Sequence, residues 1–312
     1  MPDRRQLLSL GASPLFTRAH AAAPPASGSQ LIASRLESRR GPIDFQLYLP
    51  PGHEPATTQR YPLLLLLHGR GDNMSAWTRV RDVLDRMIAA AEIPPLIAVM
   101  PDAPWSRRGS YYVDSAHVEG APVESLLLDE LLPHVEAMWP VRQEREFRVV
   151  GGYSMGGYGA VRFALARPQT FGAAIVLSPA IYTPLPPAGS SAREFGAFGR
   201  GHTRFVDALY QAGNYPALLA ARPGSSPALR LFIAAGDQEY THPNPADAAH
   251  DIDQEAHRLY SRLRREPSCA AALRILDGGH DWPVWQPAFR EGLHWCAHRL
   301  AWQAAEATKP VV

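Results

Sequence analysis

Gly152-Tyr153-Ser154-Met155-Gly156 sets a serine with a glycine two residues before it and another two residues after. In front, Glu146 to Val150 reads as a buried strand. Behind, Tyr158 to Arg167 carries Ala160, Val161, Phe163, Ala164 and Leu165 at helical spacing until Pro168. A serine on a tight strand-to-helix turn is placed to act as a nucleophile. The glycines leave no side chain to strike the neighbouring strand or helix, so the Ser154 hydroxyl is lifted above the sheet. The N-terminus of the helix would then face negative charge forming at that point.

Such a hydroxyl needs a neighbour to take its proton. The chain has 12 histidines, so position has to choose among them. His280 lies in Asp277-Gly278-Gly279-His280-Asp281-Trp282, directly after the final predicted strand, in the order serine, acid, histidine. The acid should follow the penultimate strand, where Gly236-Asp237-Gln238-Glu239 stands. Glu239, three residues after the glycine, is preferred, and Asp237, nearer the strand, is the alternative. Asp251 and Asp253 read as exposed helix residues. Backbone donors for a developing oxyanion are expected from the amide of Met155 and from the amide of Arg70, in the loop His68-Gly69-Arg70-Gly71-Asp72. His68 reads as a structural hydrogen-bonder. His294 and His298 share a helical face, but no third ligand accompanies them, so no metal is expected.

The elements that must hold these residues alternate along the chain. Leu31 to Ser38 and Phe45 to Leu49 read as two strands joined near Gly41-Pro42. Tyr61 to Leu67, without polar alternation, reads as a central strand covered on both faces. Ser75 is expected to cap a helix with an apolar stripe of Val80, Val83, Leu84, Met87 and Ile88. Leu96 to Met100 is a strand and Val123 to Trp139 a helix. Ala173 to Leu177, Leu229 to Ala235 and Ala272 to Leu276 are strands. Ala246 to Arg265 and Pro287 to Ala305 are helices. Two early strands followed by repeated β-α units predict an α/β fold with a mostly parallel, doubly wound central sheet over residues 31–307. A Pro-, Gly- and Ser-rich stretch at about 182–227 breaks the rhythm and is expected to form an inserted cap over the site.

Composition limits the alternatives. At 312 residues with 46% hydrophobic content a large core can form, and a net charge of +1 supplies no field for nucleic acid. No apolar run is long enough to insert into a membrane as a helix. Residues 1–30 are read as an export segment and linker. Arg4-Arg5, a modest apolar run and Ala19-His20-Ala21 resemble a twin-arginine signal, which predicts a periplasmic or secreted protein, the alternative being a cytoplasmic one with an N-terminal extension. Cys269 and Cys296 either pair or remain free thiols.

Leu67-His68-Gly69, Trp77, Gly109 to Asp114, Glu130 to Pro133, Gly152 to Gly159, Pro168 with Phe171, and Gly278 to Trp282 with Trp285 together resemble the "Putative esterase" family of α/β-hydrolases. That family includes S-formylglutathione hydrolase (esterase D), tributyrin, feruloyl, acetylxylan and enterochelin esterases, and mycolyltransferases. The resemblance implies the α/β-hydrolase fold and a serine carboxylesterase that needs no cofactor. It would work through a Ser154, His280 and acid triad and an acyl-enzyme on a small-molecule ester. It further implies that Trp77, Tyr111, Tyr112 and Asp114 line the substrate pocket. An acyltransferase using the same triad, or a catalytically inactive binding protein, would share these motifs. Oligomeric state is not legible in the sequence.

Overall fold

The computed structural model describes residues 28–55, 57–240 and 245–302. The arginine pair and the Ala19-His20-Ala21 site lie outside the described residues.

In chain order the strands are β1 (Gln30–Ser38), β2 (Gly41–Leu49), β3 (Leu63–Leu67), β4 (Ile97–Pro101), β5 (Ala116–His117), β6 (Arg148–Tyr153), β7 (Ala173–Leu177), β8 (Arg200–Gly201), β9 (Leu229–Gly236) and β10 (Cys269–Leu276). Eight of them form one sheet in the order β1-β2-β4-β3-β6-β7-β9-β10. The β1–β2 hairpin and the β2–β4 pair are antiparallel, and the other pairs are parallel. Order and direction together give the α/β-hydrolase architecture, with β3 and β6 at the centre.

The leucine run of β3 shows why this sequence takes this place. All five residues are buried. Successive side chains of a strand point to opposite faces. Leu63, Leu65 and Leu67 therefore join the core on one face, with Val123, Val135, Val161 and Leu259. Leu64 and Leu66 join the core on the other, with Val83, Leu84, Phe289 and Leu293. A strand covered twice has no use for polar alternation.

Several boundaries differ from the sequence reading for local reasons. Ser75 does not cap the first helix: Asn73 Oδ1 accepts both the Ser75 amide (2.9 Å) and its hydroxyl (2.6 Å), and a 3-10 turn Ala76–Val80 leads into the helix Arg81–Ala89. The predicted helix from Val123 contains a widened π-helical stretch, Leu126–Leu131, before Leu132–Met138. Ala246 to Arg265 divides into a 3-10 segment Pro245–His250 and the helix Ile252–Leu263. The last helix is Trp282–Arg299, so it begins well before Pro287, which lies inside it. Pro283 in its first turn gives up an amide that has no intrahelical acceptor there, which makes it a start signal.

The cysteines are free thiols on opposite faces of the sheet. Cys269 packs with Ala271 and Leu273 against one core, and Cys296 is buried in the other. The alternation of β10 sends Cys269 away from the final helix, so the two cannot bridge.

The stretch at 182–227 holds two short helices, Asp207–Gly213 and Tyr215–Ala220, and β8, which pairs with β5. Its entry is pinned by the Tyr210 hydroxyl, which accepts from the Tyr182 amide (2.9 Å) and donates to the Tyr182 carbonyl (3.0 Å). Asn214 Nδ2 donates to the same carbonyl (2.7 Å).

Candidate active site

Ser154 sits between β6 and the helix Met155–Ala166 with φ 55° and ψ −119°. A non-glycine residue at positive φ is strained, and here the surroundings hold it. The Ser154 amide donates to Leu177 O (2.9 Å), and its carbonyl accepts from Tyr158 N (3.1 Å) and Ala180 N (3.0 Å). The two motif glycines are required by contact. A Cβ on Gly152 would lie 2.1 Å from Gly156 O, and a Cβ on Gly156 would lie 2.1 Å from Leu67 O. Helix and strand are therefore closer than any side chain permits.

Ser154, His280 and Glu239 all line one cavity of about 700 Å³ at the C-terminal edge of the sheet. His280 Nδ1 is 2.7 Å from Glu239 Oε2. Glu239 is 3% exposed, and its other oxygen accepts from Gly236 N (2.5 Å) and from the Ser178 hydroxyl (2.5 Å). Both oxygens of this buried carboxylate are thus engaged by donors. Asp237 does something else. It is exposed, and its Oδ1 accepts the Gly278 amide (3.0 Å), which closes the turn against the histidine loop. The Gly236 position again tolerates no side chain, because a Cβ there would meet Gly278 O at 2.3 Å.

Met155 is the first residue of its helix, so its amide has no acceptor within the helix. In the β3 loop the Gly71 amide donates to Arg108 O (3.0 Å) and the Asp72 amide to Gly69 O (3.2 Å), with Arg70 on the cavity wall beside them. The Arg70 guanidinium lies 5.9 Å over the Phe195 ring, outside the sheet edge. His68 is fully buried. The Ala103 amide donates to its Nε2 (3.1 Å), which leaves the proton on Nδ1 to donate to Gly69 O (2.8 Å). Burial lowers its pKa, which keeps the ring neutral.

Of the four residues expected to line the pocket, only Tyr111 does. Its hydroxyl pairs with Ser191 Oγ at 3.0 Å, and burial raises its pKa. Trp77 is a core residue: its Nε1 donates to Leu67 O (2.9 Å) and its ring packs against Tyr153, Trp282 and Phe289. Tyr112 is buried under the β3 loop, its hydroxyl donating to His68 O (2.9 Å). Asp114 accepts the Ser125 amide (2.9 Å) and hydroxyl (2.6 Å) and so organises a helix start away from the cavity. Aromatic or acidic type alone could not tell these positions from wall residues.

The sequence reading missed most of the wall. Asp72 accepts from the Tyr153 hydroxyl (2.6 Å), and burial, then this bond, push the Tyr153 pKa up. Tyr182, Ser190 and Glu194 come from the cap stretch, and Tyr240 from the loop beyond Glu239. It also missed Ser178 and the reach of Trp285. The Trp285 ring stands edge-on to His280 at 5.1 Å and stacks on Tyr153 at 4.3 Å. No spacing rule flags Ser178. Its only local sign is its place just after β7, level with the strand-to-helix turn at Ser154, the elbow.

Architecture and site thus define an α/β-hydrolase with a serine at the elbow. The "Putative esterase" family matches residues 37–296, and the chain belongs to that family. It is 26% identical over 249 residues to an acetyl esterase of Caldicellulosiruptor saccharolyticus, covering 74% of this chain and 82% of that protein. It is 30% identical over 149 residues to an endo-1,4-beta-xylanase/feruloyl esterase of Xylanibacter ruminicola (strain ATCC 19189 / DSM 19721 / CIP 105475 / JCM 8958 / 23), which is 44% of this chain and only 20% of that protein. A solved ferulic acid esterase superposes with a TM-score of 0.71 at 23% identity, over 88% of this chain and 99% of that chain. At that identity the likeness concerns the fold.

Proposed function

We propose that this chain is a serine carboxylesterase acting on a small-molecule ester. Ser154 Oγ attacks the ester carbonyl carbon while His280 Nε2 takes its proton. The Met155 and Arg70 amides hold the oxyanion of the tetrahedral intermediate. Collapse breaks the carbon–oxygen bond to the alcohol, which leaves with the proton from His280. Water, deprotonated by His280, then attacks the acyl carbon, and the carbon–Oγ bond breaks as Ser154 takes the proton back from His280, releasing the acid. Glu239 accepts the Nδ1 proton of His280, fixing the tautomer that leaves Nε2 free and stabilising the imidazolium.

The observation that carries this reading is the 2.7 Å bond between His280 and the buried Glu239, on the cavity that also contains Ser154. Family membership supports the same class. A cavity of about 700 Å³ suits a small molecule.

The test is Ser154→Ala. Turnover of short-chain nitrophenyl esters should fall roughly 10⁴-fold or more with the fold intact. A fluorophosphonate should label Ser154 stoichiometrically in the parent protein and nothing in the variant. Labelling that persists would overturn the assignment. Adding excess alcohol and weighing transfer against hydrolysis products separates an esterase from an acyltransferase.

A further inference from the structure

We propose that Ser178 and Trp285 form a positioning relay for the acid of the site, a role that rests on the esterase reading above. Ser178 is fully buried, one of few polar side chains with no exposed surface among the described residues. Trp285 Nε1 lies 2.8 Å from Ser178 Oγ, and that oxygen lies 2.5 Å from Glu239 Oε1.

The direction of each bond follows from chemistry. An indole N–H can only donate and an ionised carboxylate can only accept. Trp285 therefore occupies a lone pair of Ser178, and the single hydroxyl proton is left to point at Glu239. Ser178 has no freedom to rotate. One Glu239 oxygen is thus occupied by the Ser178 hydroxyl and the Gly236 amide. The other accepts from His280 Nδ1 (2.7 Å). The carboxylate cannot turn to offer His280 a different lone pair without breaking two buried hydrogen bonds.

Three distant parts of the chain meet here. Ser178 follows β7 at φ 42°. Glu239 follows β9, and Trp285 lies in the first turns of the helix Trp282–Arg299, just after the His280 loop. The indole does two jobs from one place. Its nitrogen orders Ser178, and its ring stands perpendicular to the imidazole, at an interplanar angle of 89°. Acid and base are braced by the same side chain. Ser178 is off the cavity wall and touches neither substrate nor the reacting atoms, so its effect belongs in kcat and not in KM, whereas Trp285 also lines the cavity.

The experiment compares Ser178→Ala, Trp285→Phe and the double variant, with active sites counted by fluorophosphonate so that misfolded protein drops out. Ser178→Ala should lower kcat per titrated site by roughly 10- to 100-fold with KM within about twofold. Trp285→Phe keeps an aromatic ring beside His280 but removes the donor, and should cost less. The double variant should cost no more kcat than Ser178→Ala alone, because the indole nitrogen acts through the hydroxyl. It should also melt higher than Ser178→Ala, since no buried N–H is then left unpaired. The low-field proton resonance of His280 Nδ1 should move or broaden in Ser178→Ala. Unchanged kcat per site in Ser178→Ala overturns the relay, as do strictly additive losses in the double variant. If Ser178→Ala does not fold, Trp285→Phe alone decides: a kcat and resonance equal to the parent's overturn it. Ser154→Ala run alongside keeps the two ideas apart, because its failure removes the esterase reading while failure of the relay variants alone leaves that reading standing.

Discussion

Two histidines stand beside glycines at the same edge of the sheet, and they do opposite things. His68 follows β3 and is fully buried. Both ring nitrogens are occupied by backbone, Nδ1 by Gly69 O and Nε2 by Ala103 N. His280 follows β10 with its side chain 39% exposed, one nitrogen against a carboxylate and the ring on the cavity wall. A ring with both nitrogens spoken for is a peg between loops. A ring with one nitrogen fixed and the other free can carry a proton. What separates them is the partner each fold position supplies: peptide groups for His68, Glu239 for His280.

The sharpest way to break this comparison is to remove each ring. His280→Gln should lower turnover by roughly 10³- to 10⁴-fold or more with little change in melting temperature. His68→Phe should instead cost about 1–3 kcal/mol of stability by removing two buried hydrogen bonds to the backbone. Its rate per titrated site should fall much less. Comparable losses of rate from both would show that the peg and the proposed base cannot be told apart by burial.

The next largest effect concerns the acids. Glu239→Gln should reduce kcat by roughly 10²- to 10⁴-fold, because the amide can no longer stabilise an imidazolium. Asp237→Asn should lower stability by about 1 kcal/mol through its Gly278 bond and cost far less rate. Steady-state kinetics and melting curves of the pair decide it. An inactive Asp237→Asn beside an active Glu239→Gln would reverse the roles and leave Ser154 and His280 standing.

The smallest effect is in the pH dependence of stability. Burial lowers the His68 pKa in the folded state. Below the ordinary histidine value the unfolded chain therefore binds a proton that the folded ring refuses. His68 gives its full contribution above that value, and stability falls as pH drops from it towards the lowered folded pKa. Urea midpoints of the parent and His68→Phe, measured from neutral pH downwards, should diverge least at the acid end. A parent midpoint that stays level while the pH falls through the histidine range would contradict a neutral buried ring.

The site was legible where chemistry is local. The elbow could be read because steric exclusion at Gly152 and Gly156 acts over a few residues and leaves a pattern in the chain. The same holds for the glycines that turn the His280 loop. The β3 run was legible because burial on two faces forbids polar residues along a continuous stretch. The pocket wall was not. Trp77, Tyr112 and Asp114 have the residue types of a binding site, yet their hydrogen bonds go to Leu67, His68 and Ser125. Tyr111 resembles them in sequence and faces the cavity.

From the sequence alone came the alternation of strands and helices, the serine turn, the histidine after the last strand and the place where an acid must stand. Each is a matter of order along the chain or contact between near neighbours. Tertiary structure alone decided which acid meets His280, because Asp237 and Glu239 differ by two positions in one loop and only the partner loop distinguishes them. It also decided that Cys269 and Cys296 stand on opposite faces, and that Ser178 and Trp285, 107 residues apart, meet behind Glu239. Those outcomes depend on how β7, β9, β10 and the last helix are stacked. Long-range packing is set by the whole core at once, so no short pattern of residues records it.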